Sequence, residues 1–136
     1  MISTKGRYAL RVMIDLAEHG KDGYVPLKDV AERQEISKKY LEIIVRELVA
    51  ARLVAGVSGK GGGYKLTRKP EEYSVGEILE TMEGNLSPVA CLACEVNGCP
   101  RAEGCQTLPM WSEFDALTRD FFYNKKLSSF INKLSL

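Results

Sequence analysis

The fold is decided by residues 27–48, which read LKDVAERQEISKKYLEIIVREL. Leu27 and Val30 share one face of a short helix, and Ser37 is a favourable N-cap for a second helix. The second helix has an inward apolar stripe made of Leu41, Ile44, Val45 and Leu48. Two short helices joined by three or four residues form the helix-turn-helix pattern.

Further helices are predicted on both sides of this pattern. An earlier helix is predicted to begin at Ser3 or Thr4 and to end at His19, which a glycine follows. Ser74 and Glu77 have the spacing of a capping box, which predicts another helix after the pattern. The helix-turn-helix pair is therefore expected to lie inside a larger helical domain.

A β-hairpin is predicted between the third and fourth helices. Residues 53–57 are β-prone, residues 58–63 contain four glycines, and residues 64–68 alternate between polar and apolar side chains. Two strands around a glycine-rich tip form the wing of a winged helix. Residues 1–83 are thus interpreted as a winged helix-turn-helix domain that is mainly α with a small β-hairpin.

The remainder of the chain divides into two parts. Residues 84–107 show little helical periodicity and are interpreted as a cysteine-rich loop, whereas residues 108–136 are interpreted as a dimerisation helix and a C-terminal helix capped by Ser128. Thr107 and Pro109 start the long helix. A heptad-like seam, widened by Trp111 and Phe122, consists of Met110, Phe114, Leu117 and Phe121.

The composition limits the function classes. The chain has 136 residues, 45% of them apolar and 27% charged, which suits one small domain with an oligomerising extension. This length excludes a two-lobed enzyme with its own large cleft, and no Ser/His/Asp set or catalytic carboxylate motif is present. Since the chain lacks an apolar run near 18 residues and a signal-peptide core, no membrane association is expected, and the cytoplasm is the expected compartment.

Charge is unevenly distributed along the chain. Residues 1–70 carry 14 Lys/Arg and 8 Asp/Glu, a net charge of +6, whereas residues 71–136 carry 5 and 10, a net charge of −5. A basic N-terminal half fits an anionic partner such as nucleic acid. Chance clustering of solvated charge gives the same figures, so the charge alone leaves both interpretations open.

The exposed N-terminal side of the third helix is the candidate DNA-reading surface. Such a helix fits the major groove of B-DNA, where lysine binds guanine or phosphate, a carboxylate accepts from cytosine, and an apolar side chain contacts a thymine methyl. The candidate residues are Ser37, Lys38, Lys39, Tyr40, Glu42, Ile43 and Arg46. The alternative is a solvated amphipathic face on which Arg46 pairs with Glu42.

The tip of the predicted wing is a second candidate contact. Glycine lets a backbone approach a sugar-phosphate chain closely, so Lys60 and Gly61 are expected to contact phosphate or the minor groove. Lys65 and Arg68 add positive charge. The alternative is a nucleotide-binding loop, but the stretch lacks both the Gly-Lys-Ser/Thr ending and the helix that should follow.

All four cysteines lie within 15 residues, at Cys91, Cys94, Cys99 and Cys105. In a reducing compartment this clustering indicates metal binding or redox chemistry rather than a disulfide framework. Thiolates select zinc, Cu(I) or iron–sulfur clusters, and the spacing C-x2-C-x4-C-x5-C does not decide between them. Buried unmetallated thiols and a thiol redox switch are further alternatives.

Several motifs are spread along nearly the whole chain. They are ISTKGRYAL at 2–10, IS at 36–37 with YLE at 40–42, GGGY at 61–64, VGEI at 75–78, and the cysteine-rich loop followed by Trp111. Together these motifs resemble the IscR/CymR family of winged-helix transcription regulators, which includes NsrR. The resemblance implies a homodimer in which the helix from Leu108 crosses its counterpart in the partner.

The same resemblance implies an iron–sulfur cluster with three cysteine ligands, for which Cys91, Cys99 and Cys105 match the family loop best. Leu108 stands where IscR has a ligating histidine, and Arg7 stands where NsrR has a ligating carboxylate. Cys94 is therefore the candidate fourth ligand. We expect a [2Fe–2S] cluster, with zinc as the alternative.

Two departures from IscR concern DNA recognition. Ser58 stands where IscR has an arginine that reads the groove, so Ser58 joins the candidate wing contacts beside Lys60. In the reading helix, Ile43 replaces a glutamine. We therefore expect an operator sequence that differs from that of IscR.

These observations predict a dimeric DNA-binding transcription regulator whose affinity for a pseudo-palindromic operator is modulated by an iron–sulfur cluster. The resemblance suggests iron–sulfur assembly or cysteine-metabolism genes as targets. Its CymR branch, which acts without a cluster, makes a cysteine-synthesis enzyme a candidate partner. The alternatives are a zinc-stapled or thiol-redox DNA-binding regulator and a small iron–sulfur electron carrier, which has no use for a wing.

Overall fold

The computed structural model describes residues 2–89, 92, 101 and 103–131. The helices and strands of these residues are α1 (Thr4–His19), α2 (Leu27–Gln34), α3 (Lys38–Ala50), β1 (Val54–Val57), β2 (Gly63–Leu66), α4 (Val75–Glu83) and α5 (Leu108–Tyr123). Short 3₁₀ turns are present at Pro70–Glu72 and Leu127–Phe130. In this part of the chain, none of the helices has both the length and the apolar character needed to cross a bilayer.

The helix starts follow from local capping. Ser3 Oγ accepts the N–H of Gly6 at 3.1 Å, and Ser37 Oγ accepts the N–H of Tyr40 at 3.2 Å, so both predicted N-caps are confirmed. Between α2 and α3, Glu35 adopts a left-handed conformation with φ 55°, which ends α2 abruptly. Buried Ile36 anchors this turn in the core.

The core lies between α1, α3 and the start of the wing. The predicted inward stripe of α3 is buried throughout, and it packs in one cluster with the inward side chains of α1. The fully buried members of the two stripes are Ala9, Val12, Met13, Leu16, Leu41, Ile44, Val45 and Leu48. Removing this apolar surface from water orients α3 so that its opposite face points to solvent.

A buried ion pair fixes α2 against α1. Asp15 is only 1% exposed, and its two carboxylate oxygens accept bonds from Arg33 Nε and Nη2 at 3.0 and 2.8 Å. Gln34 Nε2 donates a third bond to the Asp15 carboxylate at 2.9 Å. Because Arg33 and Gln34 are the last residues of α2, this network holds the helix end from which the turn to α3 departs.

The wing is an antiparallel hairpin with a third, single-residue pairing. Its register pairs Val54 with Leu66 and Val57 with Gly63. Val25 exchanges both backbone hydrogen bonds with Tyr64, at 2.8 and 2.9 Å. A Cβ on Gly63 would lie 2.3 Å from the carbonyl oxygen of Val25, so this close approach requires glycine.

Tyr73 anchors the base of the wing. The side chain is fully buried, and its hydroxyl accepts the N–H groups of Thr67 and Arg68 at 2.9 and 3.0 Å. The same hydroxyl donates to the carbonyl oxygen of Leu53 at 2.7 Å. One side chain therefore fastens both ends of the hairpin to the core.

Helix α4 packs on α1, and the last turn of α5 packs on α4. Ser74 Oγ caps α4 by accepting the N–H of Glu77 at 3.0 Å. The Glu77 carboxylate, however, pairs with Arg68 rather than completing the predicted capping box. The aromatic ring of Tyr123 lies against Gly76, where an added Cβ would come within 2.4 Å of the ring.

The chain after α5 corrects one prediction. Ser128 does not cap a helix, because it lies inside the 3₁₀ turn Leu127–Phe130, whose N-cap is Lys126. Leu127 is fully buried and ties this turn to the core. The predicted helix therefore does not start at Ser128, and residues 132–136 lie outside the described residues. The division at 83 and 107 stays a prediction.

Candidate nucleic-acid interface

The outward face of α3 carries most of the predicted DNA-reading residues. These side chains are exposed: Ser37, Lys38, Lys39, Glu42, Ile43 and Arg46. Ile43 is 47% exposed, so its apolar side chain is accessible beside these charged residues. Tyr40 differs, because it is half-buried and its ring lies 5.7 Å from the ring of Tyr8 on α1.

A groove of about 580 Å³ separates α3 from the wing. It brings together predicted residues from two distant segments, namely Lys38, Glu42 and Arg46 of α3 and Ser58 of the wing. The complete lining is Leu27, Lys38, Glu42, Arg46, Val49, Gly56, Val57, Ser58 and Tyr64. The predicted residues thus form one surface rather than separate exposed positions.

The charged groups of this groove are free to bind a ligand. Within the described residues, none of Lys38, Glu42 and Arg46 has an ion-pair partner, so the alternative Glu42–Arg46 pair is not formed. Two cations and one carboxylate that face solvent can bind phosphate, guanine and cytosine edges without first breaking internal salt bridges. The apolar Val49 and Val57 lie beside them.

The wing tip projects beyond this groove. Lys60 and Gly61 are exposed. The two glycines on either side of Lys60, Gly59 and Gly61, have φ angles of 92° and 77°. These are left-handed conformations that glycine adopts without strain. A Cβ at either glycine would meet nothing within 4 Å, so the bare backbone here is accessible from outside.

The other two wing cations contact protein groups. Lys65 Nζ lies 4.7 Å from the centroid of the Tyr24 ring. Arg68 donates to Glu77 at 2.7 Å and lies 4.3 Å from the centroid of the Tyr73 ring. The hydrogen bond to Glu77 raises the pKa of the Arg68 guanidinium above its usual value. The structure thus directs Arg68 to the base of the wing and not to the groove.

Sequence reasoning missed the apolar part of the groove. Val49, Val57 and Tyr64 line it, yet none of them was a candidate. Val49 does give a signal, because it lies off the inward stripe of α3 and is nevertheless apolar. The contribution of Tyr64 depends on the position of the wing relative to α3, which the sequence does not reveal.

Among the predicted thiol ligands, Cys105 is the one that the structure describes. Its Sγ lies 3.5 Å from Thr107 Oγ1, immediately before α5. Hydrogen bonding from the Thr107 hydroxyl, the N–H groups of Thr107 and Leu108, and the charge of Arg101 lower the pKa of the Cys105 thiol. A thiol that loses its proton readily suits a metal ligand, so the described donor fits an iron or zinc site.

The other three thiols, Cys91, Cys94 and Cys99, lie outside the described residues. Within the residues that are described, no three potential ligands cluster closely enough to hold a metal ion. The four-cysteine ligand set therefore stays a prediction.

Helix α5 carries a large exposed apolar face. The seam residues Met110, Phe114, Leu117 and Phe121 are 51%, 50%, 61% and 57% exposed. Beside them runs an apolar groove of about 720 Å³, lined by Ile2, Leu86, Pro88, Trp111, Phe114, Leu117, Thr118, Phe121 and Phe122. An apolar stripe of this kind marks an interaction surface.

Comparison with known proteins gives consistent results. Residues 2–133 match the Rrf2 family, described as an iron-dependent transcriptional regulator. The chain is 38% identical over 135 residues to the HTH-type transcriptional regulator IscR of Aliivibrio salmonicida (strain LFI1238), covering 99% of this chain and 74% of that protein. The IscR of Pectobacterium carotovorum subsp. carotovorum (strain PC1) is 37% identical over 131 residues, covering 96% and 79%.

Solved structures agree with the sequence matches. The structure of CymR, the global cysteine regulator of B. subtilis, superposes with a TM-score of 0.75 at 32% identity, covering 94% of this chain and 93% of that one. The T. potens IscR structure gives a TM-score of 0.71 at 33% identity, covering 94% and 83%. Both similarities extend over the wing and α5 as well as the helix-turn-helix pair, since nearly the whole chain is covered.

Proposed function

This chain belongs to the Rrf2 family of winged-helix transcriptional regulators, a family of DNA-binding proteins and not of enzymes; on that basis, we propose that it is a dimeric regulator whose operator affinity is modulated by an iron–sulfur cluster. The observation that carries the proposal is the open groove between α3 and the wing. Its unpaired charges come from α3 and its opposite wall comes from the wing, and these are the two elements that a winged helix uses to hold DNA.

We assign roles in the groove by chemistry. Lys38 and Arg46 bind phosphate or guanine, Glu42 accepts a hydrogen bond from cytosine N4, and Ile43 contacts a thymine methyl. Ser37 and Lys39, at the start of α3, contact the sugar-phosphate backbone of the DNA, and Tyr40 supports them through its tilted ring contact with Tyr8.

On the wing, Ser58 lies on the groove side, whereas Lys60 and Gly61 reach phosphate or the minor groove from the tip. Ser58 is too short to span a minor groove, so Lys60 supplies the charge there. The accessible glycine backbone allows the close approach that this contact needs.

The proposed dimer uses the seam of α5. Two copies that bury this face remove four large apolar side chains per subunit from water, which stabilises association. A two-fold dimer presents two α3 helices, so the operator is expected to be pseudo-palindromic, with half-sites one helical turn or a multiple apart. Because the protein is proposed to bind DNA, we propose the cytoplasm as its compartment.

The proposed cluster ligands are Cys91, Cys99 and Cys105, with Cys94 as the fourth. Support comes from the family, which is described as iron-dependent transcriptional regulators, and from the lowered pKa of the Cys105 thiol. When bound, the cluster supplies iron–thiolate bonds that respond to iron supply and oxidants. The contribution of the chain is positional, because Cys105 directly precedes the dimer helix. A [2Fe–2S] type remains our proposal.

For the target genes, we propose iron–sulfur assembly or cysteine metabolism. The relatives named IscR favour the first, and the similarity to CymR, the global cysteine regulator of B. subtilis, favours the second. A cysteine-synthesis enzyme as partner would accompany the second assignment.

Selection of bound duplexes from a random pool, with protein purified anaerobically and with its metal-free form, tests the DNA-binding proposal. We expect both forms to enrich a palindromic sequence, with different affinities. A Cys→Ala triple variant at positions 91, 99 and 105 should shift the affinity and leave the dimer intact. Unchanged operator binding by that variant would refute cluster control.

A zinc-stapled or thiol-redox regulator is the second candidate. The lowered pKa of the Cys105 thiol favours it as well, because a thiolate is both the zinc ligand and the oxidant-sensitive form. Iron, sulfide and zinc assays with a visible spectrum separate the candidates, since zinc is colourless and iron–sulfur clusters absorb visible light. Zinc alone, or thiols without metal, would replace the cluster in the proposal.

A further inference from the structure

Arg119 lies where three parts of the chain meet. Its Nη1 is 3.2 Å from Glu80 Oε1 on α4, and its Nε is 3.2 Å from Asp115 Oδ2 one turn earlier on α5. Its Nη2 donates to Ser87 Oγ at 3.3 Å, in the segment that follows α4. A single guanidinium therefore connects α5 with both α4 and the start of the cysteine-rich loop.

Ser87 extends this network towards the cysteines. Its hydroxyl accepts from Arg119 and donates to the carbonyl oxygen of Leu92 at 2.8 Å. Leu92 is covalently linked to Cys91 and lies two residues before Cys94. The Ser87 hydroxyl therefore links the backbone between Cys91 and Cys94, two predicted metal ligands, to Arg119 of α5.

The other end of the network is firmly attached to the DNA-binding domain. The hydroxyl of Tyr123 donates to Glu80, and the Tyr123 ring packs on Gly76 of α4. The N–H of Val75 donates to the carbonyl oxygen of Lys125 at 2.8 Å. Because α4 in turn packs along α1, a displacement of Arg119 relative to α4 is a displacement relative to the core that carries α3.

We propose that Ser87 and Arg119 are positioning residues that couple the cysteine-rich loop to the DNA-binding domain. This inference rests on the proposed function and names its internal connection. Because the Ser87 hydroxyl binds the carbonyl oxygen of Leu92, it moves when that part of the backbone moves. Arg119 binds both Ser87 and Glu80, so this movement changes the position of α5 relative to α4. Since α5 is the proposed dimer helix and α4 belongs to the reading domain, this placement determines the distance between the two α3 helices.

The network is suited to adjustment rather than to bulk stability. Arg119 is 36% exposed at its side chain and Glu80 is 30% exposed, so their ion pair is screened by solvent. The 3.3 Å bond between Arg119 and Ser87 is longer than the other contacts of the network. Contacts of this kind can be made and broken without unfolding the core.

Ser87→Ala tests the coupling, with Ser112→Ala, an exposed α5 serine outside the network, as the matched control. Operator affinity is measured for each variant in its anaerobically purified and metal-free forms. The ratio of the two affinities is expected to move about threefold or more towards one in Ser87→Ala, while the metal-free affinity stays unchanged. The control is expected to keep the wild-type ratio.

Hydrogen exchange in the metal-free proteins gives a readout that needs no cluster. Ser87→Ala and Arg119→Gln are both expected to accelerate exchange in residues 84–92 and to leave that in α3 unchanged. If the operator affinities of the two forms differ in the wild type and Ser87→Ala keeps the same ratio between them, this inference alone is overturned. A wild-type ratio of one would overturn the proposed function and this inference with it.

Discussion

Replacing Arg46 by alanine tests the DNA-binding groove through its salt dependence. Arg46 lines the groove, is exposed, and has no ion-pair partner among the described residues. Alanine is the better helix former, so the substitution is expected to leave α3 and the free energy of unfolding nearly unchanged. What the variant loses is one positive charge that faces the proposed DNA.

The size of the effect follows from counterion release. Each phosphate neutralised by a cation contributes about −0.9 to the slope of log K against log salt concentration. A two-fold dimer loses two such contacts in the Arg46→Ala variant, so its slope should be shallower by about 1.8. Over a fourfold rise in salt, from about 50 to 200 mM, wild-type affinity should therefore fall about tenfold more than that of the variant.

Fluorescence anisotropy with a selected operator duplex measures these slopes. Lys126→Ala is the control, because Lys126 is an exposed cation after α5 that does not line the groove. The control is expected to keep the wild-type slope although it loses the same charge. Slopes that are equally shallow for Arg46→Ala and Lys126→Ala would show that net charge, and not the groove, governs binding. Equal slopes of any size for the two variants would refute the assignment.

Leu117→Glu places a carboxylate in the α5 seam and is expected to convert the dimer into a monomer in sedimentation velocity; an unchanged dimer would contradict this interface. Asp15→Asn breaks the buried ion pair with Arg33 and should lower the free energy of unfolding in urea by about 3 kcal/mol. This is the lower end of the range for buried pairs, because Arg33 still reaches water. A loss near zero would contradict a stabilising role for the pair. Burial, and then the hydrogen bond to Glu80, raise the pKa of Tyr123 to about 12. Tyr123 therefore contributes stability that is complete below about pH 10 and is lost towards pH 12, so Tyr123→Phe should flatten the fall in unfolding free energy over that range, and parallel curves would disprove the contribution.

The helices could be predicted closely where local signals define them. Ser37 caps α3, and the stripe of α3 is buried as its 3.6-residue period predicts, because capping and amphipathicity depend on neighbours in sequence. The winged-helix fold and the resemblance to the IscR/CymR family are both confirmed by the family match and by the solved structures.

Contacts between distant residues could not be predicted in the same way. Arg68 was expected to supply charge to the wing and Glu77 to complete a capping box, yet the two side chains pair with each other. Their alternative partners were locally plausible, and only the packing of the wing base on α4 decides between them. Ser128 failed similarly, since the burial of Leu127 in the core fixes a tight turn there.

For the candidate site, the sequence supplied the charged residues but not their surroundings. Lys38, Arg46 and Ser58 meet in one groove, although neither the groove nor its apolar lining follows from periodicity. The roles of the individual side chains at DNA, and the cysteine ligands, stay predictions. They depend on molecules that the chain alone does not contain.

The anchoring of the wing by Tyr73 has a consequence for how this protein can diversify. The Tyr73 hydroxyl holds the hairpin at Leu53, Thr67 and Arg68, so the interactions that stabilise the folded wing lie at its base. The tip at residues 59–62 makes no contribution to the core. Descendants of this sequence are thus free to exchange Lys60, the one residue of the tip that is not glycine, and with it a DNA contact, without first acquiring compensating mutations in the core.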